Sequence, residues 1–415
     1  MEPYRIKVVE PLLRVSHRVR MRALEGAGFN PFQLPADCVY IDLISDSGTG
    51  AMSTQQWAAM TMAREDFSGQ HAHQEFVRTA QEIFGLPYVQ PVHQGRVAEN
   101  ILFKLLLSPG KVVLGNTHFL TTRENIGAAG GRAIDLPVSS APFCGDIDLK
   151  LLERHLASGS AGLVIMTLTS NIHGGQPVSS DNLQAVRRLA RKYRVSLLFD
   201  ASRFAGNTYL LKELTNAKGS LTTLCRKQFS LCDTAYMSCK KDGLANIGGC
   251  ILTRSKQLAH ELTHEIIRQE SFPHAGGLAA RDLAAMSAGL QEALDPHFLR
   301  SHIESVRYLA ARLKEKHVPV FEPVGAHAVT VLPERGGTYA AFAMAAAVFL
   351  DSGVRGGVFG TAYRLALPRR VYTRDHLDHV AGAVAKVFRK APMRLKCTHR
   401  PGKFFNFFAR FALRH

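Results

Sequence analysis

The chain has 415 residues, of which 46% are hydrophobic and 20% are charged. This is the composition of a globular protein, and it excludes a disordered, collagenous or coiled-coil chain. Lysine and arginine outnumber aspartate and glutamate by 51 to 34, so the formal net charge is +17. That sign is compatible with nucleic acid, an anionic lipid surface or an acidic small molecule as partner. The length allows about two or three domains.

The seven cysteines and the amino terminus indicate a reducing compartment. The cysteine count is odd and no two cysteines form a CxxC pair, so neither a disulfide framework nor a zinc ribbon is expected. Residues 1–21 mix Glu with Arg and contain no uninterrupted apolar core, unlike a signal peptide. The longest uncharged apolar stretch, residues 338–350, is too short to span a bilayer. We therefore expect a cytoplasmic protein that does not enter a membrane.

Short runs rich in β-branched and aromatic residues alternate with helical patterns through the middle of the chain. The predicted strands are 111–119, 162–171, 195–203 and 234–242, and the predicted helices include 73–84 and 182–193. Strands that alternate with helices predict a parallel sheet covered on both faces.

The last part of the chain predicts a second, smaller α+β domain. A long helical pattern covers residues 256–316, and short strands follow around 318–332 and 363–368. The final segment, 388–415, holds eight Lys or Arg residues, no acid and many phenylalanines. Such a segment could bind single-stranded nucleic acid by stacking. We favour the simpler interpretation that the phenylalanines pack and the charges face solvent, and we expect no nucleic-acid partner.

Polar residues gather where the predicted strands end, at the edge where open α/β sheets bind ligands. Asn171, Asp200 with Arg203, and Ser238 with Lys241 each follow a predicted strand. A carboxylate and an amine at one edge suit pyridoxal phosphate, which needs a lysine for its Schiff base and an acid for its ring nitrogen. Taken alone, the pair is better explained as a helix cap and a solvated charge, which are common in α/β proteins.

A series of longer strings, in order along the chain, resembles the tryptophanase and tyrosine phenol-lyase family. The strings are EPYRIKVVEP, YIDLISDSGTGAMS, HQGRVAEN, TSNIHGGQPVS, FDASRFAGN, SCKKDGLANIGG, FPHAGGLAARD and LPRRVYT. The resemblance implies an α/β fold of fold type I, with a mostly parallel seven-stranded sheet in a large domain and a small α+β domain. We expect residues 1–45 to form an arm and part of the small domain, 46–295 the large cofactor-binding domain, and 296–415 the carboxyl-terminal small domain.

The resemblance also implies an activity. Members of this family cleave the Cβ substituent from an L-amino acid and leave pyruvate and ammonia. It therefore implies a pyridoxal-phosphate-dependent β-eliminating lyase for a small L-amino acid, activated by a monovalent cation such as K⁺. It further implies a homotetramer, built as a dimer of dimers, with active sites at a subunit interface.

The family's cofactor-binding residues have counterparts at matching positions. By resemblance Lys241, the second lysine of SCKKDG, forms the Schiff base, and Asp200 binds the ring nitrogen. Lys240 is then a charge beside the site, because successive residues of a strand point to opposite faces. Arg203 and Asn171 match the groups beside the phenolic oxygen, and we expect Lys241, Asp200 and Arg203 to be the catalytic residues. The phosphate cradle and the ring-stacking aromatic match Gln94, Gly95, Arg96, Ser238 and Phe119.

The substrate and cation sites carry over in the same way. Arg369 in LPRR matches the clamp for the substrate carboxylate, a task that suits a planar guanidinium. Ser45 is assigned to the substrate as well. The monovalent cation is expected at Glu65 and at the backbone carbonyls of Gly48 and Asn246.

The chain departs from the family on the side of the leaving group. Where the family has a tyrosine that donates a proton to the departing ring, this chain has Phe67. Leu120 stands where tyrosine phenol-lyases have a threonine and tryptophanases an aspartate, and Phe359 stands at an arginine of tyrosine phenol-lyases. Asn406 stands at a carboxyl-terminal aromatic residue or histidine. Apolar groups thus replace polar groups in the distal pocket, and the acid is removed.

A carbon leaving group such as indole or phenol must be protonated at its ring carbon, whereas a thiolate leaves well without a donor. We therefore expect a carbon–sulfur lyase acting on cysteine or an S-substituted cysteine with an apolar substituent. A tryptophan indole-lyase stays open if His71, His73 or His173 supplies the proton. A β-replacement synthase also stays open, because it shares every cofactor residue. The retained Lys241 and Arg369 argue against a non-catalytic binding protein.

Overall fold

The structure is a computed structural model that describes residues 2–6, 8–138, 142–170, 174–272, 277–333, 337–390 and 392–414. The chain divides into two compact units. The small unit contains Met1–Asp46 and Ser301–His415, and the large unit contains Ser47–Arg300. The sequence put these divisions after residues 45 and 295. The second division observed falls inside the long helix Pro296–Glu315.

Helices occur in both units. They are α1 (His17–Gly26), α2 (Thr54–Met62), α3 (His71–Phe84), α4 (Gly95–Leu106), α5 (Leu120–Ala128), α6 (Leu149–Ala157), α7 (Ser180–Lys192), α8 (Phe204–Thr215), α9 (Leu221–Phe229), α10 (Lys256–Gln269), α11 (Ala280–Glu292), α12 (Pro296–Glu315), α13 (Ala340–Ser352), α14 (Arg374–Arg389) and α15 (Phe405–Phe408). Short 3₁₀ helices cover Pro31–Gln33, Ala36–Cys38 and Gly337–Tyr339.

The strands follow the same numbering. They are β1 (Ile41–Leu43), β2 (Tyr88–Val92), β3 (Val112–Gly115), β4 (Arg132–Asp135), β5 (Ala161–Thr167), β6 (Ser196–Asp200), β7 (Thr234–Ser238), β8 (Gly249–Thr253), β9 (Ala328–Val331), β10 (Val354–Phe359), β11 (Ala362–Ala366), β12 (Leu395–His399) and β13 (Arg410–Leu413).

The large unit is built on a seven-stranded sheet with the order β2-β8-β7-β6-β5-β3-β4. Among the strands described, β8 alone runs antiparallel to its neighbours in this sheet. Apolar cores cover both faces: Phe199 of β6 belongs to one and Leu198 to the other. Such burial on both faces explains why these strands are nearly continuous apolar runs in the sequence. The expected α/β fold with a large, mostly parallel sheet is confirmed.

Local sequence sets the ends of the covering helices. Helix α3 packs its apolar face, including Phe76 and Phe84, into the core and stops at Gly85, whose φ of 68° suits glycine. Helix α7 begins at Ser179, whose side chain accepts a hydrogen bond from the N–H of Asn182. These helices place the strand ends, and the loops that follow them, on a rigid frame.

The small unit contains a four-stranded sheet with the order β1-β10-β11-β9 and the hairpin β12-β13. The carboxyl-terminal phenylalanines contribute unequally to its core. Phe411 is buried and its ring centroid lies 4.6 Å from that of Phe342, whereas Phe408 is 54% exposed. Within the ranges described, no helix combines the length and apolar character that crossing a membrane requires.

Candidate active site

Asp200 is the last residue of β6, at the carboxyl edge of the parallel strands. It lies in register with Tyr236 of β7 and Thr167 of β5. Its Oδ1 accepts a hydrogen bond of 3.0 Å from the backbone N–H of Ser202, which fixes the carboxylate in a tight turn. Leu198 packs in the core with α4, so Asp200, two residues further along the strand, points to the same face.

Lys241 lies in the loop after β7, half-buried, and that loop is anchored by the next residue. Asp242 Oδ2 accepts hydrogen bonds from the N–H groups of Ala205 (2.8 Å) and Gly206 (2.9 Å) in the first turn of α8. A carboxylate is favourable at this position because the helix N-terminus carries partial positive charge. Arg203, the residue before α8, is 6% exposed. The structure therefore brings the Lys241 loop and Arg203 to one place.

The start of α4 forms a cradle beside the end of β7. The helix begins at Gly95, and no capping hydrogen bond from the Gln94 side chain is found. A Cβ atom at Gly95 would lie 2.9 Å from the backbone nitrogen of Ser238, so only glycine allows this approach. Ser238 is buried and Arg96 is exposed. A helix N-terminus with open backbone N–H groups fits a phosphate dianion, so this cradle suits the phosphate of pyridoxal phosphate.

Phe119 and Leu120 stand where α5 begins, and both are half-buried. The preceding residue, His118, anchors them: its backbone N–H and its Nδ1 lie 2.9 Å and 2.6 Å from Oδ1 of Asp135. Arg123 pairs with the same carboxylate. Burial alone would raise the pKa of Asp135, but the hydrogen bond from His118 and the charges of His118 and Arg123 lower it overall. Asp135 thus stays ionised and holds the start of α5.

Two of the three predicted cation ligands, Gly48 and Asn246, contact each other, and the third, Glu65, has other partners. The side-chain amide of Asn246 donates to the carbonyl oxygens of Gly48 and Gly50, each at 3.1 Å. Glu65 instead accepts hydrogen bonds from the N–H groups of Ala280 (2.7 Å) and Arg281 (3.2 Å) at the start of α11. The structure brings Gly48 and Asn246 together, and Glu65 caps a helix.

Gly48 also contacts Lys240. Its N–H donates to the Lys240 carbonyl at 2.7 Å, and its φ is +77°. A Cβ atom at this position would lie 2.5 Å from Lys240 Cε. Glycine is therefore favoured at position 48 mainly by its backbone conformation, because the Lys240 side chain is flexible.

Glu99 is a buried carboxyl group near Asp200 that the sequence analysis did not single out. It lies on α4 and is 5% exposed. Burial and the charge of Asp200 raise its pKa to about 7, against the opposing hydrogen bonds from Thr122 and Asn125 and the charge of Lys241. The available signal was a glutamate within the apolar face of the helix HQGRVAENIL. Asp242 and Asp135 were missed as well, because their partners are distant in the sequence.

The predicted carboxylate clamp lies in the small unit. Arg369 Nη1 is 3.0 Å from Asp46 Oδ2, and the two side chains are 5% and 0% exposed. Ser45, half-buried, precedes Asp46. His302 of α12 also lies in this corner. Burial and the positive charge of Arg369 lower its pKa to about 3, against the opposing effect of the Asp46 charge. The sequence named Arg369 and Ser45, and it missed Asp46 and His302. We call Asp46, His302 and Arg369 the carboxylate corner.

The residues expected beside the leaving group are dispersed. Phe67 is 78% exposed, and its ring stacks on Phe272 of the large unit with centroids 5.8 Å apart. In the small unit, the Asn406 side chain donates to the Val358 carbonyl at 2.9 Å, next to Phe359. The Phe359 ring lies 3.8 Å from the guanidinium carbon of Arg364.

Two residues named from the sequence, Asn171 and His173, lie outside the described residues. His71 is an exposed residue at the start of α3, 4.0 Å from Glu75. Among the described residues, no group of three or more His, Cys, Asp or Glu side chains is placed to hold a metal ion.

Comparison with known proteins places this chain in a family. A model of the beta-eliminating lyases matches residues 42–383. A probable tryptophanase of Aeropyrum pernix is 42% identical over 95% of this chain and 92% of its own length. A tyrosine phenol-lyase of Intrasporangium calvum is 39% identical over 94% of this chain and 90% of its own length.

Solved structures agree on the fold. A threonine aldolase of Leishmania major matches with a TM-score of 0.65 and 16% identity, over 84% of this chain and 99% of its own. A serine palmitoyltransferase of Sphingomonas wittichii matches with a TM-score of 0.65 and 13% identity, over 89% and 95%. Both confirm the expected fold type I. The chain therefore belongs to the β-eliminating lyase family, whose members are pyridoxal-phosphate-dependent lyases.

Proposed function

We propose that this protein cleaves the carbon–sulfur bond of cysteine or an S-substituted cysteine. One water is consumed, the Cβ–S bond breaks, and a thiol, pyruvate and ammonia are released. The observation that carries the choice of sulfur is Phe67, a phenyl ring at the position of the family's proton-donating tyrosine. The apolar Leu120 and Phe359 support it, because they favour a substituent without polar groups.

The proposed cofactor site uses the edge of the large sheet. Pyridoxal phosphate, when bound, supplies an electron sink for the electron pair of the substrate Cα–H bond. We assign Lys241 Nζ to the covalent attachment and to removal of the Cα proton, and the Asp200 carboxylate to the ring nitrogen. The N–H groups at Gly95 bind the phosphate. The other cofactor contacts are assigned to Gln94, Arg96, Phe119, Asn171, Arg203 and Ser238.

The proposed substrate contact for the amino-acid carboxylate is Arg369, with Ser45 beside it. The Arg369 guanidinium is already oriented by Asp46, so little side-chain entropy is lost when a carboxylate binds. His302 is neutral at neutral pH, since its pKa is held near 3 by burial. It therefore adds no second positive charge to this corner.

The identity of the leaving group decides which residues are needed. Departure of indole or phenol requires proton transfer to a ring carbon, and such transfer typically contributes about 10²- to 10⁴-fold in rate. Phenylalanine has no proton to give. A thiol has a pKa of about 8.5, so the thiolate leaves without help from a donor.

A second candidate is tryptophan indole-lyase, which the relative from Aeropyrum pernix favours by its name, probable tryptophanase. This activity needs another group to donate the proton. His71, His73 and His173 are the candidates in the sequence.

We further propose a homo-oligomer and a monovalent cation. Trp57, Met62 and Phe67 are each more than half exposed on the large unit, which is costly unless they are covered. The carbonyl oxygens of Gly48 and Asn246 are the proposed cation ligands, together with Glu65. Potassium prefers oxygen ligands of this kind.

The proposal is tested by introducing, at position 67, the hydroxyl group of the family's tyrosine. The Phe67→Tyr variant is assayed for pyruvate release from L-tryptophan and from S-benzyl-L-cysteine, with pyridoxal phosphate and K⁺ present. We expect kcat/KM for tryptophan to rise by about tenfold or more, since a donor is worth about 10²- to 10⁴-fold when well placed. The value for the sulfur substrate should hardly change.

The matched control is Phe272→Tyr, which adds the same hydroxyl to the ring stacked on Phe67. It should leave both substrates unaffected. If wild-type enzyme already releases pyruvate from tryptophan as fast as from the sulfur substrate, the indole-lyase is the correct function. If neither substrate releases pyruvate, and both are consumed only when a second thiol is added, the enzyme catalyses β-replacement.

A further inference from the structure

Glu99 occupies a costly position inside the large unit. It lies on the face of α4 whose neighbouring residues, Ala98, Ile101 and Leu102, belong to an apolar core. Leu198 of β6 belongs to the same core. Burial of a carboxyl group in such surroundings costs free energy of folding unless the group is hydrogen-bonded or neutral. Its presence there therefore needs a reason.

The hydrogen bonds of Glu99 join two elements of the cofactor site. Its Oε1 accepts from Thr122 Oγ1 at 2.5 Å, and its Oε2 accepts from Asn125 Nδ2 at 3.1 Å. Both donors lie on α5, which begins directly after Phe119. Glu99 itself lies on α4, which begins at Gly95. The carboxyl group thus ties the phosphate cradle to the helix that follows the ring-stacking residue.

Glu99 also faces the charges that define the site. Asp200 points to the face of the sheet that α4 covers. Burial is the largest cause of the raised pKa of Glu99, and the charge of Asp200 is the second. Lys241 acts in the opposite direction. Tyr236, in register with Asp200, is buried beside both carboxyl groups, and its pKa is raised by burial and by their charges.

Two charged groups on the helices around Glu99 are paired elsewhere. Lys104 Nζ, on α4, lies 2.7 Å from Glu265 Oε2, on α10. Arg123 of α5 pairs with Asp135, and the Cys250 thiol of β8 is hydrogen-bonded to Cys239. The pKa of Glu99 is therefore set by burial, by the charge of Asp200, by the hydrogen bonds from Thr122 and Asn125, and by the charge of Lys241.

We propose that Glu99 is a positioning residue that acts through Asp200, holding a proton while Asp200 is unpaired and releasing it to solvent when the protonated ring nitrogen of the cofactor binds Asp200. Two adjacent carboxylates repel each other, so one of them stays protonated. The positive charge of the ring nitrogen bound to Asp200 offsets that repulsion, and the Glu99 O–H bond then breaks with release of the proton to solvent. The second negative charge stabilises the protonated ring, which strengthens the electron sink.

This inference rests on pyridoxal phosphate binding at Asp200, and it is independent of the leaving group. Its test therefore needs no substrate. Proton release on cofactor binding to the full-length apoprotein is measured by calorimetry in buffers of different ionisation enthalpy, from pH 5.5 to pH 8.5. Infrared spectra of the apoprotein over the same range report the C=O stretch of a protonated carboxyl group.

In the Glu99→Gln variant we expect about one proton fewer to be released below neutral pH, because a linked group contributes at most one. The protonated-carboxyl band that titrates near neutral pH should vanish. Asp200→Asn should move that titration to lower pH by about one unit, since a repelling charge is removed. Thr122→Val should move it to higher pH, since a hydrogen bond that stabilises the anion is lost.

Glu265→Gln is the matched control, because Glu265 is a buried carboxylate that contacts α4 through Lys104. It should leave the proton count and the infrared titration unchanged. Equal proton release from wild type and Glu99→Gln overturns the proposal, as does an infrared band that survives the substitution. If Glu99→Gln fails to fold, Thr122→Val decides: an unshifted titration overturns the proposal and an upward shift supports it. Loss of lyase activity affects neither readout.

Discussion

The cofactor edge of the large unit, by which we mean Glu99, Asp200 and Lys241, differs from the carboxylate corner of the small unit in the pH range over which its groups gain and lose protons. At the cofactor edge, burial and Asp200 raise the pKa of Glu99 to about 7, so its charge changes near neutral pH. In the carboxylate corner, Arg369 and Asp46 form an ion pair of 3.0 Å and His302 stays neutral. A titrating carboxyl group is thus found at the proposed cofactor site, and a fixed ion pair at the proposed binding site of the substrate carboxylate.

The largest expected effect concerns the cofactor edge. Lys241→Ala removes the amine that we assign to the Schiff base and to the Cα proton. We expect kcat to fall by about 10²- to 10⁴-fold, the usual contribution of a positioned base. Lys240→Ala, which removes the neighbouring charge, should have a much smaller effect. Pyruvate release under saturating substrate measures both, and full activity of Lys241→Ala would refute the assignment.

The next effect concerns the carboxylate corner. Arg369→Gln leaves Asp46 buried without its charged partner, and such a loss typically costs about 3–5 kcal/mol of the free energy of unfolding. KM for the amino acid should rise together with this destabilisation. Arg369→Lys keeps the charge but loses the planar fork, so it should raise KM with a smaller loss of stability. Urea unfolding and initial rates test both, and an unchanged KM in either variant contradicts the role of Arg369.

The two regions should also give opposite pH dependences of stability. Glu99 has a pKa near 7 in the folded chain against 4.5 in the unfolded chain, so its contribution is greatest below pH 4.5 and is lost as pH rises to 7. The loss is on the order of 3 kcal/mol. His302 has a pKa near 3 against 6.5, so its contribution is full above pH 6.5 and is lost as pH falls towards 3.

The measurement is the urea midpoint of the apoprotein at each pH. In Glu99→Gln, the fall of the urea midpoint between pH 4.5 and 7 should be smaller than in wild type. In His302→Gln, the fall of the midpoint from pH 6.5 towards pH 3 should be smaller than in wild type. The same pH dependence in wild type and both variants would show that neither group changes its protonation on unfolding.

The smallest expected effect concerns Gly95. Its replacement by Ala forces a methyl group to within 2.9 Å of Ser238 nitrogen. Overpacking of this kind typically costs about 1–3 kcal/mol, and Kd for pyridoxal phosphate should rise. Gly127→Ala in α5 is the control, because nothing lies within 4 Å of its added Cβ. Equal cofactor affinity in the two variants would mean that Gly95 does not shape the phosphate cradle.

The sequence was most informative where local pattern and structure coincide. The buried strands β5 to β7 are continuous apolar runs, and the polar groups that end them, Asp200 and Lys241, mark the edge of the sheet. Predicted strand ends ran past the observed ones, because the residues of the following loops continue the extended pattern. The helix α12 has one uninterrupted amphipathic pattern, so its sequence gives no sign of the division inside it.

Other features could not be predicted because they depend on distant partners. Asp46 and Arg369 are 323 positions apart, and nothing beside either residue indicates the ion pair. Glu99 gains its unusual pKa from Asp200 and from burial, neither of which is local to HQGRVAEN. Phe67 was identified by comparison with the family, but its stacking on Phe272 required the structure.

The most direct test of the central claim is a competition between substrates. Wild-type enzyme is given equal concentrations of L-tryptophan and S-benzyl-L-cysteine, with ¹³C at Cβ of the sulfur substrate only, and the label in the first pyruvate formed is measured by NMR. The ratio of labelled to unlabelled pyruvate equals the ratio of the two kcat/KM values. If the enzyme is a carbon–sulfur lyase, nearly all of the pyruvate should be labelled. Mostly unlabelled pyruvate would contradict it and would assign the enzyme to tryptophan.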